Sequence, residues 1–222
     1  MKLVRSHWQL ALIPVLVFAL WNTPVVFPVK VLVVFLHELS HGLAAVLTGG
    51  SIVAISLSVQ QGGEATTLGG NGFIILSAGY LGSLLFGVAM LLIAVRTHAD
   101  RGLLAVFGLV LLVVAALYIR DLFAFAFCAI AGISMLGVAR YLSRDINDFI
   151  LRTIGLTSII YVPYDIFSDT IARSELHSDA YMLAEQYGGT TVFWGGLWLG
   201  LSLMMIVISL RYTFATPVRP GK

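Results

Sequence analysis

Seven stretches of this chain are almost purely apolar, at about 8–22, 29–47, 72–95, 102–119, 122–139, 153–172 and 191–211. Each is near the ~20 residues that a helix needs to cross roughly 30 Å of hydrocarbon. The pattern predicts an all-α polytopic membrane protein with six or seven transmembrane helices, forming one membrane-embedded domain over residues 1–222. The first run leaves the count open, because it is short and holds Pro14. With Met1-Lys2-Leu3-Val4-Arg5 ahead of it, that run could pass for a signal peptide. It is long for one and lacks a small-x-small cleavage site, so it is read as a retained first helix. The fourth and fifth runs are separated only by Arg120-Asp121. One helix through 102–139 would be about twice the spanning length, so a tight helical hairpin is expected there rather than a buried, neutralised Arg–Asp couple.

After the second run the periodicity changes. Gly49-Gly50-Ser51 ends the helix, and Ile52, Ala54, Ser56 and Ser58 then alternate with Val53, Ile55, Leu57 and Val59. Gln60-Gln61-Gly62-Gly63 is a turn signal, and Glu64-Ala65-Thr66-Thr67-Leu68 reads as a returning strand. A small β-hairpin is expected, with a plain interfacial loop as the alternative. Lipid does not tolerate free strand edges, so the hairpin must lie at the interface or against the bundle. Residues 140–152 read as a polar linker, and 173–189 is the longest polar region.

Composition agrees with the pattern. The chain is 59% hydrophobic and 11% charged, with mean hydropathy +0.97, whereas a soluble domain carries about 25% charged residues. These values indicate a multi-pass integral membrane protein with the lipid bilayer as its surroundings. The net charge of +2 is small and scattered, which argues against a nucleic-acid partner. The lone Cys128 lies in an apolar run and excludes an intramolecular disulfide and a cysteine-based zinc cage. With seven helices and a cytoplasmic N-terminus, only Lys2, Arg5, Arg120 and Arg173 fall inside, and the other nine Lys/Arg fall outside. The positive-inside rule then favours the opposite orientation, and moving one helix reverses the tally, so either orientation stands.

Within the second run sits His37-Glu38-Leu39-Ser40-His41. An ionisable group at the middle of a bilayer costs roughly 2.5–3.5 kcal/mol on insertion scales, so such groups face a cavity and serve a function. His37 and His41 are four apart and share one helical face, with Glu38 beside them. H-E-x-x-H on a helix is a zinc-site signature in which the Glu is the general base. A catalytic zinc keeps three protein ligands and an open position. The remaining histidines, His7, His98 and His177, lie in polar segments, and most acids lie in polar loops. Asp165 and Asp169 differ: they sit four apart in the sixth run, just after Pro163, which would bend or interrupt the helix. Asp165 is therefore the preferred third metal ligand and Asp169 the alternative, with Asp179, Glu64 and His177 behind them.

At these residues the chain resembles the site-2-protease family of intramembrane zinc metalloproteases, and more closely its compact branch without PDZ domains. The likeness runs from Val29 to Trp198. His37-Glu38-Leu39-Ser40-His41-Gly42 is similar to the family's motif helix, and Thr48-Gly49-Gly50 followed by a hairpin is similar to the segment after it. Ser77-Ala78-Gly79-Tyr80-Leu81-Gly82-Ser83 falls where the family has Gly-Pro-x-x-Asn, and Pro163-Tyr164-Asp165 where a late Leu-Asp-Gly provides the third ligand. Ser178-Asp179-Ala180 and Trp194-Gly195-Gly196-Leu197-Trp198 look like features of the compact branch. Departures are specific: Tyr80 replaces the Pro, Ser83 stands where an Asn would hold substrate or oxyanion, and Ile166 follows Asp165 in place of Gly.

The resemblance implies a zinc metalloendopeptidase that cleaves a membrane-protein substrate in or near a transmembrane segment, as in regulated intramembrane proteolysis. Glu38 is its catalytic base and Zn2+ its cofactor. Ser83, Asn71 and Gln60 are candidates to position the substrate, set against blander roles as a helix-packing Ser, a cap or turn Asn and an exposed Gln. The alternative is a non-proteolytic zinc-binding membrane protein, either a pseudoprotease scaffold or a metal transporter. One His pair and two Asp make a single site with no second polar pathway, and Glu38 would be superfluous in a structural site. A helical assembly factor is the third reading, with Gly79, Gly82 and Gly87 suited to close helix packing.

Overall fold

A computed structural model describes residues 8–214. In chain order its elements are α1 (Trp8–Ala19), α2 (Phe27–Leu47), β1 (Ser51–Leu57), β2 (Gly63–Leu68), α3 (Gly72–Arg96), α4 (Asp100–Tyr118), α5 (Leu122–Tyr141) and α6 (Arg144–Ile166). A π-helical segment (Phe167–Ala172) continues α6, and α7 (Asp179–Tyr187) and α8 (Thr191–Phe214) follow. Six helices, α2 to α6 and α8, are long and apolar enough to cross a membrane. The protein is thus a helical, multi-pass membrane protein with one small sheet among the described residues. Helix α1 has 12 residues, about 18 Å at 1.5 Å per residue, and falls short of a span. It lies against α6 instead, where Trp21 just beyond it meets Tyr161 at 5.5 Å between ring centroids. The basic Met1-Lys2-Leu3-Val4-Arg5 and His7 lie outside the described residues.

Helix α2 is the axis of the bundle. Its apolar window is 78% buried, against 28% for α5 and 22% for α8. Helices α3 and α6 and the hairpin all pack on it. The hairpin is antiparallel, pairing Ser51 with Leu68 and Leu57 with Gly63, with a bulge between Ile52 and Ala54. Ile55 and Leu57 point into the core beneath it. The strands therefore lie against protein rather than lipid, as an open sheet edge requires.

Helices α4 and α5 form the expected hairpin, and the pair at its tip caps both helices. The Arg120 guanidinium donates to the carbonyls of Ala116, Leu117 and Ile119 at the end of α4. The Asp121 carboxylate accepts from the Ala124 N–H at the start of α5, at 2.7 Å. Each charge satisfies backbone groups that a helix end leaves open.

Two expectations for the region after α5 change. The stretch 140–152 is not wholly a linker, because α6 begins at Arg144. Ser143 caps it, Asp145 sits in its first turn, and Asp148 and Arg152, one turn apart, form a 2.8 Å ion pair. These groups make a helix start out of a polar sequence. Pro163 does not end the helix either: the chain stays helical through it and loosens only afterwards, into the π-helical segment.

Close approach between α3 and α6 sets the framework around α2. A Cβ on Gly155 would stand 2.7 Å from the Gly87 carbonyl oxygen and 3.0 Å from the Leu91 nitrogen. Beside this contact Ser158 Oγ donates to the Ser83 carbonyl across the interface, at 2.8 Å. Because the neighbours of Gly155 are backbone, neither helix can yield to a side chain. Gly155→Ala should therefore lower the unfolding free energy in mixed micelles by about 1–3 kcal/mol. Gly137→Ala on α5, which meets nothing within 4 Å, should change it by no more than about 0.5 kcal/mol.

Candidate metal and catalytic site

His37 lies ten residues from each end of α2, about 15 Å along the axis. This is the middle of a membrane span. One turn later, His41 brings its ring to 4.7 Å from that of His37. The Ile75 carbonyl on α3 fixes the His41 ring. A carbonyl only accepts, so His41 Nδ1 carries the proton and donates to it at 2.7 Å. Nε2 faces Asp179 and the space left beside Gly79 of α3, the usual way a supporting hydrogen bond presents an imidazole to a metal.

Asp179, the first residue of α7, completes the group. Its Oδ2 lies 3.0 Å from His37 Nε2 and 3.3 Å from His41 Nε2. Among the described residues these three form the one cluster of potential metal ligands, with ligand atoms within 4.8 Å of one another. Burial alone would raise the Asp179 carboxyl's pKa, but the His41 and His37 imidazoles outweigh it and hold that carboxyl below the ordinary carboxylate range. The local fold explains the placement. Ser178 caps α7 by accepting from the Tyr181 N–H, and Ala180 and Leu183 bury its inner face. Helix α7 thereby docks on α3 and α8 with Asp179 at its inner end.

The space at the three ligand atoms is kept open by α3. A Cβ on Gly79 would fall against both His37 Nε2 and His41 Nε2. Two imidazoles, one carboxylate and a cradle that only a glycine leaves free fit a divalent ion of the zinc type. Glu38, on the same turn of α2, is buried and faces the hairpin. A Cβ on Gly63 would stand 2.6 Å from Glu38 Cγ and Oε1, so strand β2 starts directly over the carboxylate.

The site opens into a cavity of about 670 Å3. Asp165, Asp169, Glu64 and His177 all line it, yet none of them joins the two imidazoles. The structure brings Asp179, rather than Asp165 or Asp169, against both rings. Asp169 is turned elsewhere, accepting from Tyr80 Oη at 3.3 Å and from Arg173 at 2.5 Å. Asp165 stays on the α6 wall. In the sequence Asp179 reads as a solvated loop acid. The available signal was Ser178 as a helix cap, with Ala180 and Leu183 on one face of a short helix beginning at Asp179.

The substrate-positioning candidates have other partners. Asn71 caps α3, its side chain accepting from the Ile74 N–H at 3.1 Å. Gln60 is exposed in the hairpin turn, and its neighbour Gln61 is the one that lines the cavity. Ser83 lines the cavity, but its hydroxyl donates to the Tyr80 carbonyl at 3.0 Å and is fully buried. Tyr80 packs edge-on against His37, 4.7 Å between ring centroids.

The sequence model of peptidase M50B-like proteins matches residues 10–209. The chain belongs to the peptidase M50B-like family. That is the site-2-protease family of intramembrane zinc metalloproteases, here in the form without a PDZ domain. Members act on membrane-protein substrates within the bilayer, and some members are not catalytic. No curated protein and no solved structure matches the chain.

Zinc content measured by mass spectrometry on purified variants tests the ligand set. Asp179→Ala and His37→Ala should weaken zinc binding beyond the roughly 10–100-fold that loss of a supporting hydrogen bond costs. Asp165→Ala and Asp169→Ala should each stay within about tenfold of the wild type. Gly79→Val should keep the fold by circular dichroism and lose the metal.

Proposed function

We propose that this chain is an intramembrane zinc endopeptidase that cuts a peptide bond in or near a transmembrane segment of a membrane-protein substrate. Residues 1–222 act as one membrane-embedded domain. His37, His41 and Asp179 hold the ion, with Asp179 taking the place expected for Asp165, and Glu38 is the general base. The observation that supports this best is the position of the three ligand atoms. They converge at mid-depth of the most buried membrane helix, with a carboxylate that is not one of them, Glu38, on the same cavity.

A zinc ion bound there supplies a Lewis acid for the scissile carbonyl and an acidified water at near-neutral pH. The remaining work belongs to the chain's own residues. Glu38 Oε accepts the proton of the attacking water and returns it to the leaving amine. The Ile75 carbonyl keeps the His41 proton on Nδ1 throughout, so Nε2 does not become a competing acid. The cavity admits water to a depth where lipid would exclude it. A helical substrate hides its carbonyls in its own hydrogen bonds, so it must unwind. The hairpin, whose strand β2 begins at Gly63 over Glu38, offers strand edges to receive the unwound segment.

One observation favours a second reading, a non-proteolytic zinc-binding scaffold or metal transporter. Tyr80 packs against His37, and the Ser83 hydroxyl is tied to the Tyr80 carbonyl, where the resemblance leads one to expect substrate-holding groups. Glu38→Gln separates the two. For a peptidase, this variant should keep full zinc content and lose about 10²–10⁴-fold in the turnover of a cleaved membrane substrate in proteoliposomes. Full rescue of cells lacking the protein by Glu38→Gln would instead establish the scaffold or transport role.

A further inference from the structure

The cavity carries more negative charge than the metal chemistry uses. Five carboxylates line it, Glu38, Glu64, Asp165, Asp169 and Asp179, and no Lys or Arg does. Three of them are committed. Asp179 lies against both imidazoles, Glu38 is the base, and Asp169 is neutralised by Arg173 and receives the Tyr80 hydroxyl. Glu64 sits on strand β2 near the hairpin turn, exposed, with the Thr66 hydroxyl at 3.5 Å. Asp165 is different. It is partly buried, it lines the cavity, and it makes no hydrogen bond or ion pair among the described residues.

A buried carboxyl with no partner is costly to ionise, and a cation brought beside it favours the charged form and pairs with it. Its surroundings suit a cation too. Tyr161, one turn earlier on the same face of α6, lines the cavity, as does Tyr80, and aromatic faces attract cationic groups. The volume of about 670 Å3 holds a short extended peptide together with one long side chain.

We propose that Asp165 is a specificity residue: its carboxylate receives a Lys or Arg side chain of the substrate segment, close to the bond that is cut. This rests on the peptidase reading above. The selectivity has a simple origin. A basic residue in a membrane segment is penalised in hydrocarbon, and moving it into this cavity both hydrates it and pairs it. An acidic residue at the same position would meet the unneutralised carboxylates and be repelled. The cavity thus draws in the segments that are least comfortable in lipid.

The test uses the full chain, zinc-loaded, as the Glu38→Gln variant in detergent micelles. Three fluorescent Leu/Ala transmembrane peptides serve as probes, identical except for Lys, norleucine or Glu at one central position. The Lys peptide should bind about tenfold more tightly than the norleucine peptide, and the Glu peptide least well. Adding Asp165→Asn should shrink the Lys preference to within about twofold at unchanged zinc content, whereas Asp165→Glu and Glu64→Gln should retain it. Equal or unmeasurable binding of the Lys and norleucine peptides overturns the proposal, and this comparison needs no variant at Asp165 to fold. A Lys preference that survives Asp165→Asn also overturns it, as does zinc loss in that variant, which would make Asp165 a ligand. Incubating the wild type with the Lys peptide separates the two levels. Selective binding without cleavage retires the peptidase reading and leaves cation recognition at Asp165 standing.

Discussion

Three ionisable side chains on one turn of an apolar helix cannot face lipid, and much of this molecule follows from shielding them. At mid-span each would cost roughly 2.5–3.5 kcal/mol by insertion scales, so the helix that carries them must be enclosed by protein. Helix α2 is accordingly the most buried span, with α3, α6 and the hairpin around it and the lipid-facing α4, α5 and α8 outside. Enclosure alone would still leave polar groups unsatisfied. The Ile75 carbonyl accepts a hydrogen bond from His41 Nδ1–H, the Asp179 carboxylate meets both imidazoles, and the cavity reaches Glu38. The arrangement that makes the histidines tolerable in a membrane is also the one that brings three potential metal-ligand atoms together.

Enclosure at this range requires helices that come close. Gly79 and Gly82 put α3 directly on the His37–His41 turn, and Gly87 and Gly155 bring α3 and α6 together. In lipid the hydrophobic effect gives helices little reason to associate, so close backbone contact and the Ser158–Ser83 hydrogen bond carry more of the packing than they would in water. The glycines act at two levels. They hold the bundle together, and at Gly79 the missing side chain is the space an ion would occupy.

Most of the fold was legible in the sequence because membrane insertion writes it in long-range hydropathy. Six spans, the α4–α5 hairpin at Arg120-Asp121 and the β-hairpin after Gly50 all follow from run length, charge and period. Shorter features were harder. The polar start of α6 depends on the Ser143 cap and an i,i+4 ion pair, which hydropathy does not register. The candidate site divides in the same way. His37, Glu38 and His41 lie within five residues, and their spacing reports their geometry. Asp179 reaches them from a nine-residue helix 142 residues away from His37. Its place depends on how α7 docks, and no local pattern reports that. Asp165 looked the better ligand because it sits in an apolar run, yet the run carries it along the cavity wall and not to the imidazoles.

The separation of His37 from Asp179 also governs when their cluster can form. During synthesis the His pair is made early, and the residue that joins it arrives only after some 142 further residues have been added. Until α7 docks, the nascent chain has two imidazoles in a forming bundle and no third donor. The cluster of potential ligands is then incomplete. An ion that does bind closes a loop spanning nearly the whole bundle and ties the first membrane span to the last quarter of the chain. A chain truncated ahead of α7 lacks the residue that completes the cluster of His37, His41 and Asp179.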